Sequence, residues 1–179
     1  FASADRINYT DSTYIKNVNI SNVLSNDSLK FNIKLSELDA SNNLDLNGVI
    51  RFAHQKPAFV NFYPSTIIIN REKWTVNQDA ELKISKGKWF IENLVLNHQE
   101  QKVLLNGILS NDNSDKLAIG FKDFNLSSLN GITKPLGINL IGEMNGNLEV
   151  NSIFKSPYFV ANLLTKPIIY NGLPIGKLE

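Results

Sequence analysis

The stretch QKVLLNGILSNDNSDKLAIGFKDFNLSSLNGITKPLGINLIGEMNGNLEV, residues 101–150, decides the fold. Its first two apolar segments alternate apolar and polar residues, and the polar residues 111–115 separate them. A third apolar segment, 138–150, follows a part without alternation at 124–130. Alternation with a period of two is typical of strands that bury one face. This stretch therefore predicts repeating β structure, with glycines inside the strands as well as in the turns.

The same pattern extends through the rest of the chain. Residues 29–37 and 44–52 alternate cleanly, and shorter apolar segments are separated by turn-forming residues. No segment keeps the 3.6-residue period of an amphipathic helix. About a dozen short strands at this spacing predict an all-β protein, as a sandwich, a barrel or a β-solenoid.

The glycines favour one of these architectures. Leu-Asn-Gly occurs at 46–48 and again at 105–107, each time before two apolar residues, and Gly142 and Gly146 have similar surroundings. A glycine inside a strand usually marks a bend, a bulge or a close backbone approach. Bends at related points predict an elongated antiparallel sheet that curls on itself. We expect an open, solenoid-like groove with an apolar interior.

The domain organisation follows from the same pattern. Residues 1–13 are polar and without periodicity, so we expect a loose lead-in, followed by one elongated β domain over residues 14–179. The chain opens at Phe1 without an initiating methionine. We therefore expect it to be a fragment of a longer protein.

Composition excludes several function classes. The chain has 179 residues and a formal net charge of +1, without the clustered basic surface that nucleic-acid binding needs. It contains no cysteine, so it has neither disulfides nor thiolate metal sites. No apolar run reaches the roughly 20 residues of a membrane-spanning helix.

Residues that could carry chemistry lack the partners that chemistry needs. The segment Asn111–Asp115 resembles the start of a calcium loop, but the following glycine and the distal glutamate are missing, so we expect a turn. His54 and His98 have no further ligand at metal-binding spacing. No Gly-x-Ser-x-Gly motif is present, and Asp123 and Glu143 fit solvated strand faces better than an acid–base pair. We predict no catalytic residue, no metal and no cofactor.

The apolar faces are the remaining candidate site. Residues 89–96 are apolar on both faces of their strand, and Phe59, Phe62 and Tyr63 form an aromatic segment between two prolines, which predicts an edge strand or a loop. Such a surplus of apolar surface can serve a lipid or a partner. We expect a single groove lined by Leu82, Ile84, Phe90, Leu94, Leu105, Leu117, Ile119, Phe121, Leu140 and Leu148.

An ordered series of motifs resembles a known family. The series consists of Trp74-Thr-Val, Phe90-Ile-Glu-Asn-Leu-Val-Leu, Val103-Leu-Leu-Asn-Gly-Ile-Leu-Ser, Asp115-Lys-Leu-Ala-Ile-Gly-Phe, Leu140-Ile-Gly-Glu-Met-Asn-Gly and Tyr170-Asn-Gly-Leu-Pro-Ile-Gly. It resembles the TamB-like translocation and assembly module proteins, which are related to AsmA, of Gram-negative bacteria. The asparagine-rich composition is similar to that of the Bacteroidetes branch. The resemblance covers residues 70–179, and residues 1–69 share its general character.

The resemblance implies a fold and a role. Members are anchored in the inner membrane and cross the periplasm, and their β-rich body resembles a taco with a hydrophobic groove. It implies a non-enzymatic segment that shields phospholipid acyl chains on their way to the outer membrane. A second hypothesis is an assembly module that binds the strands of outer-membrane β-barrel proteins by β-augmentation. A third, a carbohydrate-binding or carbohydrate-acting solenoid, lacks the expected cluster of carboxylates and aromatics.

Overall fold

The computed structural model describes residues 2–8, 14–36, 42–52, 57–153 and 156–177. It is an all-β protein built on a large, open, antiparallel sheet, which confirms the predicted fold class. Each strand of the sheet pairs antiparallel with its neighbours. The strands are β1 (Ala2–Asn8), β2 (Tyr14–Ser25), β3 (Ser28–Ser36), β4 (Asn43–Arg51), β5 (Ala58–Phe62), β6 (Ser65–Ile69), β7 (Glu72–Val76), β8 (Glu81–Ser85), β9 (Lys88–His98), β10 (Gln101–Leu109), β11 (Lys116–Asn125), β12 (Leu140–Ile141), β13 (Glu143–Asn151), β14 (Tyr158–Thr165), β15 (Ile168–Tyr170) and β16 (Leu173–Gly176).

The main sheet has 13 strands, and its order is β1-β2-β3-β4-β5-β8-β9-β10-β11-β13-β14. Strands β6 and β7 lie off this path: β6 pairs with β4 and β7, and β7 pairs with β6 and β9. Strand β1 pairs with β2 alone and β14 with β13 alone, so the described sheet has two free edges. The expected loose lead-in is wrong for residues 2–8, which form β1. The reason is that strand pairing uses backbone N–H and C=O groups, so the largely polar residues of β1 can pair with β2 without apolar alternation.

In the middle of the sheet, the chain segment that pairs with β4 is interrupted, so that it forms two strands, β5 and β6. Strands β5 and β6 both pair with β4, and the break between them holds Tyr63 and Pro64. The backbone N–H of Tyr63 donates to the Asn47 carbonyl (2.9 Å), and that of Asn47 donates to Ser65 Oγ (2.9 Å). The predicted edge strand at 59–63 is therefore wrong, because Pro64 lies in a break where the ladder does not need its N–H.

An Asn-Gly pair lies opposite a bulge in β9. Leu94 pairs with Leu105 whereas Ile91 pairs with Gly107, so β9 carries an extra residue. The bulged residue Asn93 has a φ of 51°, and its backbone N–H donates to Asn106 Oδ1 (2.7 Å). Gly107 has a φ of 120°, and a Cβ there would lie 2.2 Å from the Lys116 carbonyl oxygen. The bend therefore requires glycine at 107 and an acceptor at 106.

The same arrangement recurs at the next bend. Strand β11 bulges at Asp123, which has a φ of 50°, and its backbone N–H donates to Asn145 Oδ1 (2.8 Å). Gly146 has a φ of 121°, and its Cβ would lie 2.2 Å from the Asn162 carbonyl oxygen. At 106–107 and at 145–146 the Asn-Gly pair thus has the same structural role, which is to bend the sheet.

The bent sheet covers its own inner face. We call the face that carries Leu105 and Leu117 the inner face and the opposite one the outer face. Leu82 and Leu117 are 6% and 4% exposed, although among the described elements their strands contact only hydrogen-bonded neighbours extensively. A flat single sheet would leave one face in water. The curl is therefore what buries these residues.

A helical segment crosses the inner face at one end. It consists of a 3-10 turn at Leu126–Leu129, a single α turn, α1, at Asn130–Thr133 and a second 3-10 turn at Lys134–Leu136. We call residues 126–136 the strap. The N-cap of the strap is Asn125, whose Oδ1 accepts from the Ser127 N–H (3.0 Å). Among the described residues no helix is long and apolar enough to cross a membrane.

A small sheet follows the strap. Strands β12, β15 and β16 form three antiparallel strands beside the main sheet. The chain turns at Asn171–Gly172 and then continues as β16. Ile168 is buried and Leu140 half-buried, and both pack against the inner face below the strap.

Candidate functional site: the inner apolar face

Two apolar clusters occupy the inner face. Cluster 1 consists of Val60, Ala80, Leu82, Ile91 and Leu117. Cluster 2 consists of Trp74, Val103, Phe124, Leu126 and Ile168. Leu105 and Ile119 pack against both clusters, so the inner face is one continuous apolar surface and not two separate cores.

The structure brings most of the predicted groove residues together. Leu82 and Leu117 belong to cluster 1, Ile84 and Leu94 pack against it, and Leu105 and Ile119 pack against both clusters. Phe121 and Leu140 contact cluster 2, and Leu140 does so from the small sheet. Leu148 pairs directly with Ile119 and so shares its face of the sheet.

Phe90 is the exception and lies on the outer face. It pairs with Lys83 and Ile108, and the Lys83 ammonium lies 4.2 Å from the centre of its ring. It borders a shallow outer depression of about 470 Å³. The bulge at Asn93 changes the alternation of β9, so Ile91 and Leu94 share the inner face while Phe90 points away. The apparent surplus of apolar residues on both faces of β9 has the same cause.

The sequence pattern does not predict the five members of cluster 2, although Leu105, Ile119, Phe121 and Leu140, which pack against it, were expected in the groove. Trp74 is 3% exposed, and its ring centroid lies 5.4 Å from that of His98 and 5.8 Å from that of Phe124. Trp74 alternates with Val76, which is the one signal that could have indicated an inward Trp. Leu126 and Ile168 reach the cluster from the strap and the small sheet, which period-two alternation does not describe.

The polar candidates do not form a reactive site. His98 Nδ1 lies 2.8 Å from the Lys73 carbonyl oxygen, and His54 lies outside the described residues. Within the described ranges no group of three or more His, Asp and Glu side chains is arranged to hold a metal ion. Asp123 is the bulged residue of β11, and Glu143 pairs with Lys166 Nζ (2.7 Å), so neither faces the other as an acid–base pair.

The calcium-like segment is a turn closed by a lysine. Lys88 Nζ lies 2.7 Å from Asp115 Oδ2 and 3.2 Å from Asp112 Oδ2. Hydrogen bonds from the Ser114 N–H and hydroxyl, followed by Lys88, lower the pKa of Asp112 to about 2. Lys88 and then the Ser110 hydroxyl (2.6 Å) lower the pKa of Asp115. The ammonium group occupies the place between the carboxylates, so the arrangement is an ion-paired turn.

The free edge at β14 is uncharged. Its sequence YFVANLLT contains no charged residue, and Tyr158 and Leu164 are 65% and 59% exposed. Exposed edge strands usually carry charges, prolines or bulges that prevent pairing with other chains. The interior of β14 has no such feature.

The chain was compared with protein-family models, curated proteins and solved structures, and none of the three comparisons gave a match.

Proposed function

We propose that this chain is a non-enzymatic segment of a periplasmic, inner-membrane-anchored protein that shields phospholipid acyl chains in transit to the outer membrane. The supporting observation is the continuity of the inner face, in which Leu105 and Ile119 join the two clusters. The motif series that resembles the TamB-like family supports the same proposal. An acyl chain needs an apolar path, and the side chains that join the two clusters are apolar.

The dimensions of the inner face fit an acyl chain. Cluster 1 extends from β5 across β8, β9 and β10 to β11. Four strand spacings of about 4.8 Å give roughly 19 Å, which is close to the length of an extended long acyl chain. Each CH₂ moved from water to this face contributes about 0.8 kcal/mol. Because that contribution is similar at each position along the face, a chain can slide along it without a large barrier.

A neighbouring pair of leucines provides the test. Leu105 lies on the inner face, and Leu104 pairs with Val95 and Gly120 on the outer face. We expect Leu105→Glu to abolish transfer of phospholipid between vesicles, whereas Leu104→Glu leaves transfer near the level of the unchanged protein. Circular dichroism verifies that both variants are folded. Equal transfer by a folded Leu105→Glu protein would exclude the inner face as the lipid path.

Native mass spectrometry of protein purified without detergent provides the direct observation. We expect phospholipid to remain bound at low collision energy and to be lost in Leu105→Glu. Protein free of lipid under all gentle conditions, together with an absence of transfer activity, would contradict the proposal.

The uncharged edge of β14 favours a second candidate, a module that binds strands of outer-membrane β-barrel proteins. A strand added to β14 would gain the free backbone hydrogen bonds and contact the exposed Tyr158 and Leu164 side chains. Val160→Lys would place a charge at the middle of this edge. We expect it to abolish crosslinking to an outer-membrane β-strand peptide and to leave lipid transfer unchanged, so the two candidates are separable.

A further inference from the structure

The strap is attached differently at its two sides. On the β12 side, the buried Asn130 side chain donates to the Leu140 carbonyl (2.8 Å) and accepts from the Leu140 N–H (2.9 Å). On the other side, Asn70 Nδ2 in the β6–β7 turn donates to the Ser127 carbonyl (3.1 Å). The β12 side is thus held by two hydrogen bonds of the buried Asn130 side chain, whereas the other side is joined by the hydrogen bond from the half-buried Asn70.

The interface beneath the strap contains polar atoms without a partner. Trp74 Nε1 and Ser128 Oγ are buried, and neither has a hydrogen-bond partner among the described residues. Ser128 is 2% exposed. Glu72 lies on the same face of β7 as Trp74, and its Oε2 is also buried without a hydrogen-bond partner among the described residues. Each buried polar group without a partner destabilises the closed arrangement, and a hydrogen bond to water would relieve that cost. The closed arrangement therefore carries a cost that opening relieves.

We propose that the strap is a hinged cover: it moves away from Trp74 while remaining attached to β12, and an acyl chain then replaces Leu126 and Leu129 against Trp74. The acyl part of this proposal rests on the proposed lipid function, and the hinge does not. Opening would extend the apolar surface from cluster 1 to the end of the inner face, since Leu105 and Ile119 already join the clusters.

The structure supplies a lock for the strap. A Cβ built at Gly131 would lie 3.3 Å from Asn70 Cβ, slightly less than the roughly 3.5–4.5 Å found in disulfides, and 2.8 Å from Asn42 Oδ1, so the Asn42 side chain has to shift when the bond forms. The chain contains no cysteine, so Asn70→Cys with Gly131→Cys introduces a single possible disulfide. The reduced form of the same protein is the matched control.

The chain has two tryptophans, and replacing one of them leaves a single fluorescent reporter under the strap. Trp89 is 41% exposed, and Trp89→Phe leaves the buried Trp74 as the sole tryptophan. In the reduced double-cysteine protein we expect vesicles of phosphatidylcholine with brominated acyl chains to quench Trp74 fluorescence. Oxidation should abolish this quenching and slow amide exchange of the strap by at least about tenfold, because exchange requires the open minor state.

The outcomes separate the hinge from the ligand. Equal exchange and equal quenching in the oxidised and reduced forms would overturn the hinged cover. Slower exchange after oxidation, with no brominated-lipid quenching in either form, would support the hinge and overturn the acyl ligand.

A second variant keeps the test valid if the cysteine protein does not fold. Asn70→Ala removes the bond to Ser127 and should increase acrylamide quenching of Trp74 in the Trp89→Phe background. Asn26→Ala is the control, because the exposed Asn26 has a φ of 48°, close to the 51° of Asn70, so both variants carry the same backbone cost, and the control should leave quenching unchanged. Equal quenching in both variants would count against the hinge.

Discussion

The two clusters of the inner face are buried by different means. Cluster 1 is covered by the curl of the sheet itself, and its members, apart from Ala80 just before β8, come from paired strands of that sheet. Cluster 2 is covered by the strap and the small sheet, from which Leu126 and Ile168 are contributed. Burial in cluster 1 is therefore a property of the whole sheet, whereas burial in cluster 2 depends on a separate piece of chain.

This difference assigns separate tasks to the two regions. Exposing cluster 1 to water requires the sheet to unfold, since the same backbone hydrogen bonds hold its residues in place and maintain the curl. Exposing cluster 2 requires the strap to move, which leaves the main ladders intact. The molecule thus combines a fixed apolar wall with a removable cover, and variants in the two regions should have different consequences.

The largest effect is expected from a charge in each cluster. Leu117→Asp places an unpaired carboxylate in cluster 1 and should abolish folding, with a cost of about 4 kcal/mol or more. Leu126→Asp places the same charge under the strap, where it reaches water when the strap moves. We expect that variant to keep its β-sheet circular dichroism and to expose Trp74 to acrylamide.

Leu136→Asp is the control, since Leu136 is an exposed strap residue. It should change neither signal. If Leu117→Asp unfolds no more readily than Leu126→Asp, the two clusters do not differ as described.

A smaller effect is expected at the bends that produce the curl. Gly107 and Gly87 both have positive φ angles, but a Cβ at 107 meets the Lys116 carbonyl and one at 87 meets nothing within 4 Å. Gly87→Ala should cost about 1 kcal/mol from backbone conformation alone. Gly107→Ala adds the clash and should cost about 3 kcal/mol. Urea unfolding of both variants measures the difference, and equal midpoints would show that the close approach at 107 is not essential.

The smallest effect is expected from the ion-paired turn beside cluster 1. The pKa values of Asp112 (about 2) and Asp115 lie below the ordinary value of 3.8, so their stabilisation is present above about pH 4 and is lost as the pH falls towards 2. Lys88→Ala should reduce this loss, because Lys88 contributes to both depressed values.

Thermal unfolding at pH 6 and pH 2.5 measures the pH dependence. Lys34→Ala, which removes the more exposed Lys34–Asp45 pair (3.5 Å), is the control. The interpretation fails if Lys88→Ala has the same pH dependence as the unchanged protein.

The fold class was predictable because it depends on local patterns. Alternation at 29–37 and 44–52 and the recurring Asn-Gly pairs were sufficient to predict a curled antiparallel sheet, and the sheet forms β3 and β4 at these positions. The role of the asparagines was missed. Asn106 and Asn145 accept bulge N–H groups from a neighbouring strand, and that pairing depends on register between distant residues.

The groove residues were predictable as far as the alternation continued. Ten residues were expected to share a face, and Phe90 does not, because the bulge at Asn93 shifts β9 by one residue. The strap contacts with Trp74 were not predictable, since a short helical segment carries no periodic signal and its docking site lies about 50 residues away along the chain.

The free edges of the sheet have a consequence for how such a protein can change in length. A closed sheet links strand number, tilt and diameter, so adding strands alters every part of it. Here the curl is set locally by each bulge and its facing Asn-Gly pair, and β14 ends without closure. One more hairpin would extend the inner face by about 10 Å and leave the existing curvature unchanged. The length of such a protein can therefore change by the addition or loss of whole hairpins, and the distance that it spans changes with their number.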